Sequence, residues 1–140
     1  MRTMPPLMAC VFCLIAAGEL PAYRIAEHER ALAFLDINPS VVGHTLVVPR
    51  AHAANLHEIS PDDLARCAEL AQEVAGRLVD RLGCNGVSIV QSNGAAAGQT
   101  VFHYHVHVIP RFDGDAMRAM WQPSEADPAA LAAMASRLAG

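Results

Sequence analysis

Phe102-His103-Tyr104-His105-Val106-His107-Val108-Ile109-Pro110-Arg111 is the stretch on which the fold reading turns. Three histidines alternate with Tyr104 and Val106, and Val108-Ile109 extends the apolar run. On a β-strand every second side chain shares a face, about 6.8 Å apart. The spacing therefore predicts an imidazole ladder of His103, His105 and His107, with Tyr104, Val106 and Val108 turned to a core. A helix would scatter the same rings around its axis. Period, β-branched content and the stop at Pro110 all select the strand.

Two chemistries suit such a ladder. Alternate strand positions can aim two or three imidazoles at one metal ion. Alternatively, a neutral ring nitrogen can attack phosphorus while its neighbours orient it. The middle ring, His105, is slightly favoured as nucleophile because it alone has imidazoles on both sides.

Composition narrows the partners. The chain has 140 residues, 53% of them hydrophobic, and a formal charge of −4. That length makes one domain, 1–140, with a real core. The charge leaves no basic footprint for a nucleic-acid polymer. No run of eighteen apolar residues predicts a membrane span. Arg2 followed by an apolar stretch from Leu7 to Ala17 has some look of a secretory leader. A single basic residue and the Pro5-Pro6 interruption oppose that reading, and a cytoplasmic protein with reduced thiols is expected. Cys67 and Cys84 read as small core residues. Cys10-Val11-Phe12-Cys13 is a redox pair, half a zinc site, or a chance spacing.

Outward from the histidines the elements fall into order. A short helical turn is expected over Cys13–Leu20, then strands over Tyr23–Glu27, Ala31–Ile37, His44–Val48 and Gly86–Gln91. Ser60-Pro61-Asp62-Asp63 is a helix start, with a capping hydroxyl, proline at the first position and acids in the first turn. Leu64, Ala68, Ala71, Ala75, Leu78 and Leu82 recur at helical spacing, and Gly83 supplies the stop. Glu73 and Arg77 are one turn apart and can pair. Ser92 to Gly98 is a loop of small residues with neither P-loop nor dinucleotide spacing, suited to close approach of a phosphate. Ser124 is expected to cap a last helix running to Leu138. The class is α+β, an antiparallel sheet of about five strands with one long helix and a C-terminal helix.

His-x-His-x-His followed by two apolar residues resembles the signature of the histidine triad nucleotide hydrolases and transferases. Gly98-Gln99-Thr100-Val101 resembles the family's approach to the phosphate, and Gly43-His44-Thr45-Leu46-Val47-Val48-Pro49-Arg50 its second signature. Asp36-Ile37-Asn38-Pro39 is similar to its ribose-contacting corner. The match runs over about 10–111, leaving 112–140 as a C-terminal extension.

The resemblance implies a covalent mechanism at the α-phosphorus of a nucleoside phosphoramidate or dinucleoside polyphosphate. It makes His105 the nucleophile and His107 its orienting partner, with His44 completing the polar cluster. Gln99 and Thr100 would contact phosphate or leaving-group oxygens. Gly98 and Asn93 would lie at the phosphate, and Asp36 would accept the ribose hydroxyls. Arg111 is a weaker candidate. In members carrying the C-x-x-C, a structural zinc is held by the residues that are Cys10, Cys13, His52 and His103 here. No catalytic metal is then required. A homodimer is also implied, to which the Ala-rich long helix could lend apolar surface. This chain departs from some members after Arg111, where their C-terminal segment crosses to the other subunit's site; Trp121 falls in that extension. Two rival functions remain open on the sequence: a nucleotide-binding regulator or scaffold with little turnover, and a catalytic zinc hydrolase using the triad imidazoles.

Overall fold

In the computed structural model, residues 10–116 and 123–140 are described. The elements are α1 (Val11–Ala16), β1 (Arg24–Glu27), β2 (Ala31–Leu35), β3 (Thr45–Pro49), α2 (Pro61–Leu82), β4 (Gly86–Val90), β5 (Val106–Arg111) and α3 (Pro128–Leu138). The five strands form one sheet in the order β1-β2-β3-β5-β4, every pair antiparallel. The expected α+β class is what the chain adopts.

Alternation along β2 and β3 divides the core in two. Ala31, Ala33 and Val47 face α2, where they meet Cys67, Leu70, Val74, Tyr104, Val106 and Val108. The small alanines let the helix lie close. Leu32, Phe34, Leu46 and Val48 face the other way, against Phe12 and Ile15 of α1. Both faces of the central strands are thus covered, which explains their nearly unbroken apolar runs.

The ends of α2 form as the sequence dictates. The Ser60 hydroxyl accepts the Asp63 N–H at 3.1 Å, Pro61 opens the first turn, and Gly83 closes the helix at φ 63°. The buried stripe is shifted from the expected one. Cys67, Leu70, Ala71, Val74 and Leu78 are buried, whereas Ala68 and Leu82 are exposed. Alanine carries little hydrophobic signal, so alanine positions imitated the stripe while Cys67 and Val74 carried it. Glu73 and Arg77 do pair, at 3.5 Å.

Two further expectations are corrected. Ser124 does not cap the last helix, which starts at Pro128 after Asp127 with no side-chain cap. Proline disfavours helical geometry in the residue before it and suits the first helical position. The triad strand is shorter than predicted: β5 begins at Val106, and only His107 of the three histidines lies within it. Upstream the backbone turns away, with Tyr104 N–H donating to Ala53 O at 2.7 Å. Trp121 lies outside the described residues.

Candidate active site

His107 sits on β5 opposite Leu46 of β3, on the face away from α2. His44 immediately precedes β3. Gly43 sets its place, at φ 100°, where an added Cβ would stand 2.7 Å from Leu82 Cδ1 and 3.1 Å from Pro110 Cγ. Gly43→Ala is therefore expected to cost about 1–3 kcal/mol in chemical denaturation; an unchanged midpoint would show that this turn tolerates a side chain.

The rings form a line. His44 Nε2 is 2.8 Å from His107 Nδ1. The His107 and His105 ring centroids are 5.0 Å apart at 69°. His105 Nδ1 lies 2.7 Å from His103 O. A carbonyl only accepts, so His105 Nδ1 carries the hydrogen, and in the neutral ring Nε2 holds the free electron pair. This contact replaces the regular ladder predicted from sequence. The main chain of His103 serves His105 while the His103 ring turns elsewhere.

Burial lowers the pKa of His44 against the pull of Asp36, whose Oδ2 is 3.5 Å from Nε2. Burial, then the neighbouring His105 and His44, lower His107 to about 4, Asp36 again opposing. Between pH ~6.5 and about 4 the unfolded chain binds a proton that folded His107 refuses. Its contribution is complete above that window and lost as pH falls through it, on the order of 3 kcal/mol. Urea titrations at pH 7, 5.5 and 4.5 should record the fall, and His107→Asn should make it shallower. An equal slope in that variant would overturn this assignment.

A cleft of about 550 Å³ opens beside the imidazoles. Phe12, Ile15, Phe34, Leu46 and Val101 supply apolar walls, and Asp36, Asn38, Thr100, His105 and His107 are the polar groups among its lining. Asp36 Oδ1 accepts Asn38 N–H at 2.8 Å, so the acid both forms the turn and faces the cleft. The apolar walls were missed in sequence, although alternation in β2 and β3 already set Phe34 and Leu46 on one face.

Gln99 and Asn93 are placed differently from Thr100. Gln99 is buried and its amide is committed to backbone: Oε1 accepts Gly94 N–H at 2.7 Å, and Nε2 donates to Ala54 O at 2.6 Å and Val101 O at 3.1 Å. Asn93 Oδ1 accepts Leu56 N–H at 2.8 Å and pairs with Gln91 through both amides. Gly98 ends a single 3-10 turn at φ 90°. These three shape the loop leading to Thr100 and do not line the cleft. Arg111 is held by Asp115 at 2.8 Å and by Ser88 at 3.1 Å.

The His103 ring joins a second cluster. Cys10, Cys13, His52 and His103 bring four ligand atoms within 4.8 Å of one another. Cys10 Sγ is 3.4 Å and Cys13 Sγ 3.5 Å from His103 Nδ1, and Cys13 Sγ is 3.3 Å from His52 Nδ1. A tetrahedral zinc with ordinary Zn–S and Zn–N bonds places sulfur and nitrogen about 3.6 Å apart. The residues fit that ion. His103 Nε2 lies 2.8 Å from Pro49 O, the outer contact that turns Nδ1 toward the thiols. Burial, with Cys10 adding to it, pushes the Cys13 thiol up to about 11, as expected of a sulfur that needs a cation to ionise. Phe12 stands edge-on to both His103 and His105, at 5.8 and 5.2 Å between centroids.

A five-stranded antiparallel sheet with this line of imidazoles at an apolar cleft defines a histidine triad protein. The family model for the HIT domain matches residues 17–114. The chain is 40% identical over 114 residues to "Protein hit" of Bacillus subtilis (strain 168), covering 81% of this chain and 79% of that one. It is 37% identical over 110 residues to Adenylylsulfatase HINT3 of Arabidopsis thaliana, covering 79% of this chain and 56% of the plant protein. A Zn-bound histidine triad family protein from Mycobacterium smegmatis matches in structure with a TM-score of 0.76 at 40% identity, over 93% of this chain and 98% of that one. The chain belongs to the HIT domain family.

Proposed function

We propose that the protein is a nucleotidyl hydrolase or transferase acting at the α-phosphorus of nucleoside phosphoramidates or dinucleoside polyphosphates. The observation that carries this reading is the bond from His105 Nδ1–H to His103 O, which leaves Nε2 as a free electron pair in a ring lining the cleft. The nucleoside would lie against Phe12, Ile15 and Phe34, with its ribose hydroxyls at Asp36. Nε2 of His105 attacks phosphorus in line, and the bond to the leaving group breaks with its electron pair. The adduct keeps Nδ1–H on His103 O. Water then attacks and gives a proton to solvent, the P–N electron pair returns to His105 Nε2, and nucleoside monophosphate leaves. His107, accepting from His44 at Nδ1, presents Nε2–H to the phosphate oxygens. Thr100 adds a hydroxyl there. Gln99, Asn93 and Gly98 act by fixing the loop that carries Thr100.

Zinc held by Cys10, Cys13, His52 and His103 would be structural, because four protein ligands leave no open position. That favours nucleophilic chemistry over a catalytic zinc hydrolase. A cytoplasmic setting suits the four free cysteines; among the described residues no helix is long and apolar enough to cross a membrane. A homodimer is supported by the outer edge of β4, an unpaired strand edge on which Ile89 is 54% exposed. Sedimentation at micromolar concentration should give twice 14.9 kDa; the monomer mass would overturn the pairing.

Mass spectrometry of quenched single turnovers tests the function. Adenosine phosphoramidate, diadenosine polyphosphates and adenylyl sulfate form the donor panel, the last suggested by the plant relative's name. Nucleoside monophosphate added to His105 is expected. Binding without an adduct from any donor would favour the regulator or scaffold instead.

A further inference from the structure

His44 is buried, and each nitrogen of its ring has a defined neighbour. Nδ1 lies 3.1 Å from the Ser40 peptide nitrogen and 3.2 Å from Ser40 Oγ. Nε2 lies 2.8 Å from His107 Nδ1 and 3.5 Å from Asp36 Oδ2. A peptide N–H can only donate. His44 Nδ1 must therefore be the bare nitrogen, and Nε2 carries the hydrogen. That hydrogen has a close acceptor in His107 Nδ1, which fixes the second ring in turn: its own hydrogen sits on Nε2.

We infer that Ser40 is a positioning residue, whose peptide N–H and hydroxyl hold His44, and through it His107, in the tautomers that leave His107 Nε2–H for the phosphate. The role rests on the proposed reaction, but the tautomers do not. The same geometry disfavours the other use of this cluster. Asp36, His44 and His107 bring ligand atoms within 4.8 Å of one another, as a cation site would. Binding a metal at His44 Nε2 would drive the hydrogen to Nδ1, directly against the Ser40 N–H.

The groups facing His44 that bear on its titration are Asp36, after β2, and His107 on β5. Asp36 favours the protonated ring, while burial disfavours it more strongly. The Ser40 hydroxyl stabilises the bare Nδ1 and so adds to the neutral side. Ser40 itself is exposed, so replacing its side chain does not open the core.

Long-range proton–nitrogen spectra of the imidazoles, recorded across pH on the full chain, test the inference together with kcat/KM profiles. At pH 7 His44 should show bare Nδ1 and protonated Nε2, and His107 bare Nδ1. Ser40→Ala should raise the His44 midpoint by roughly 0.4–1 pH unit, the equivalent of one hydrogen bond. The acid limb of kcat/KM should move up with it, and Ser40→Thr should restore both. A hydrogen on His44 Nδ1 in the unaltered protein, or an unmoved midpoint and limb in Ser40→Ala, would overturn the role of Ser40. The stated tautomers in a protein that forms no nucleotidyl adduct would instead overturn the proposed function.

Discussion

His105→Asn is expected to abolish the nucleotidyl adduct and to lower turnover by roughly 10⁴-fold or more, the scale seen when a catalytic nucleophile is removed. An amide nitrogen carries no basic electron pair, so the attacking atom is lost. The cleft keeps its walls, because Phe12, Ile15, Phe34 and Leu46 come from α1, β2 and β3. Nucleotide affinity should therefore change little while kcat collapses. His107→Asn should be milder, since it removes a donor and leaves the nucleophile in place. The measurements are single-turnover rates and peptide mapping of any adduct. An adduct on His103 or His107, or one that survives His105→Asn, would overturn the assignment while leaving the fold untouched.

Removing the metal cluster has the second largest expected effect. Protein purified without chelator should contain about one zinc per chain, and Cys10→Ala should lose it. A zinc held there would tie α1 to the segments bearing His52 and His103, so several kcal/mol of stability should go with its loss, or about 10 °C in Tm for a chain of this size. The core between the sheet and α2 contains none of the four cluster residues, so a folded apo protein is expected. Turnover should fall as well, because the His103 carbonyl holds the His105 ring. Since burial keeps the metal-free Cys13 thiol protonated up to about pH 11, zinc binding at pH 7 must release that proton. Calorimetry in buffers of different ionisation enthalpy measures the release, and occupancy should decline as pH falls. Full zinc content in Cys10→Ala would mean that other ligands hold the ion.

Much of this was legible in the sequence because several signals agreed. Helix α2 announced both ends through Ser60, Pro61 and Gly83, whose effects are local. The alternation of Tyr104, Val106 and Val108 correctly named a core face. The ladder failed upstream of Val106 because competing contacts decided the backbone there: a hydrogen bond to Ala53 and the pull of the Cys10–Cys13 cluster on the His103 ring. Ser40 left no trace in the sequence, since its peptide N–H is one that every residue but proline possesses and its hydroxyl finds His44 only through the loop geometry. Gln99 was visible as a polar residue beside the triad, yet only the fold reveals that backbone groups occupy its amide.

Helix α1 belongs to two sites at once. Cys10 and Cys13 face the metal cluster, while Val11, Phe12 and Ile15 line the cleft, within six residues of chain. Phe12 touches a ring from each. If the proposed nucleoside and zinc sites hold, redesign of base preference through this wall would not be independent of metal loading. A library built at Val11, Phe12 and Ile15 would sort variants by zinc retention before it sorted them by substrate.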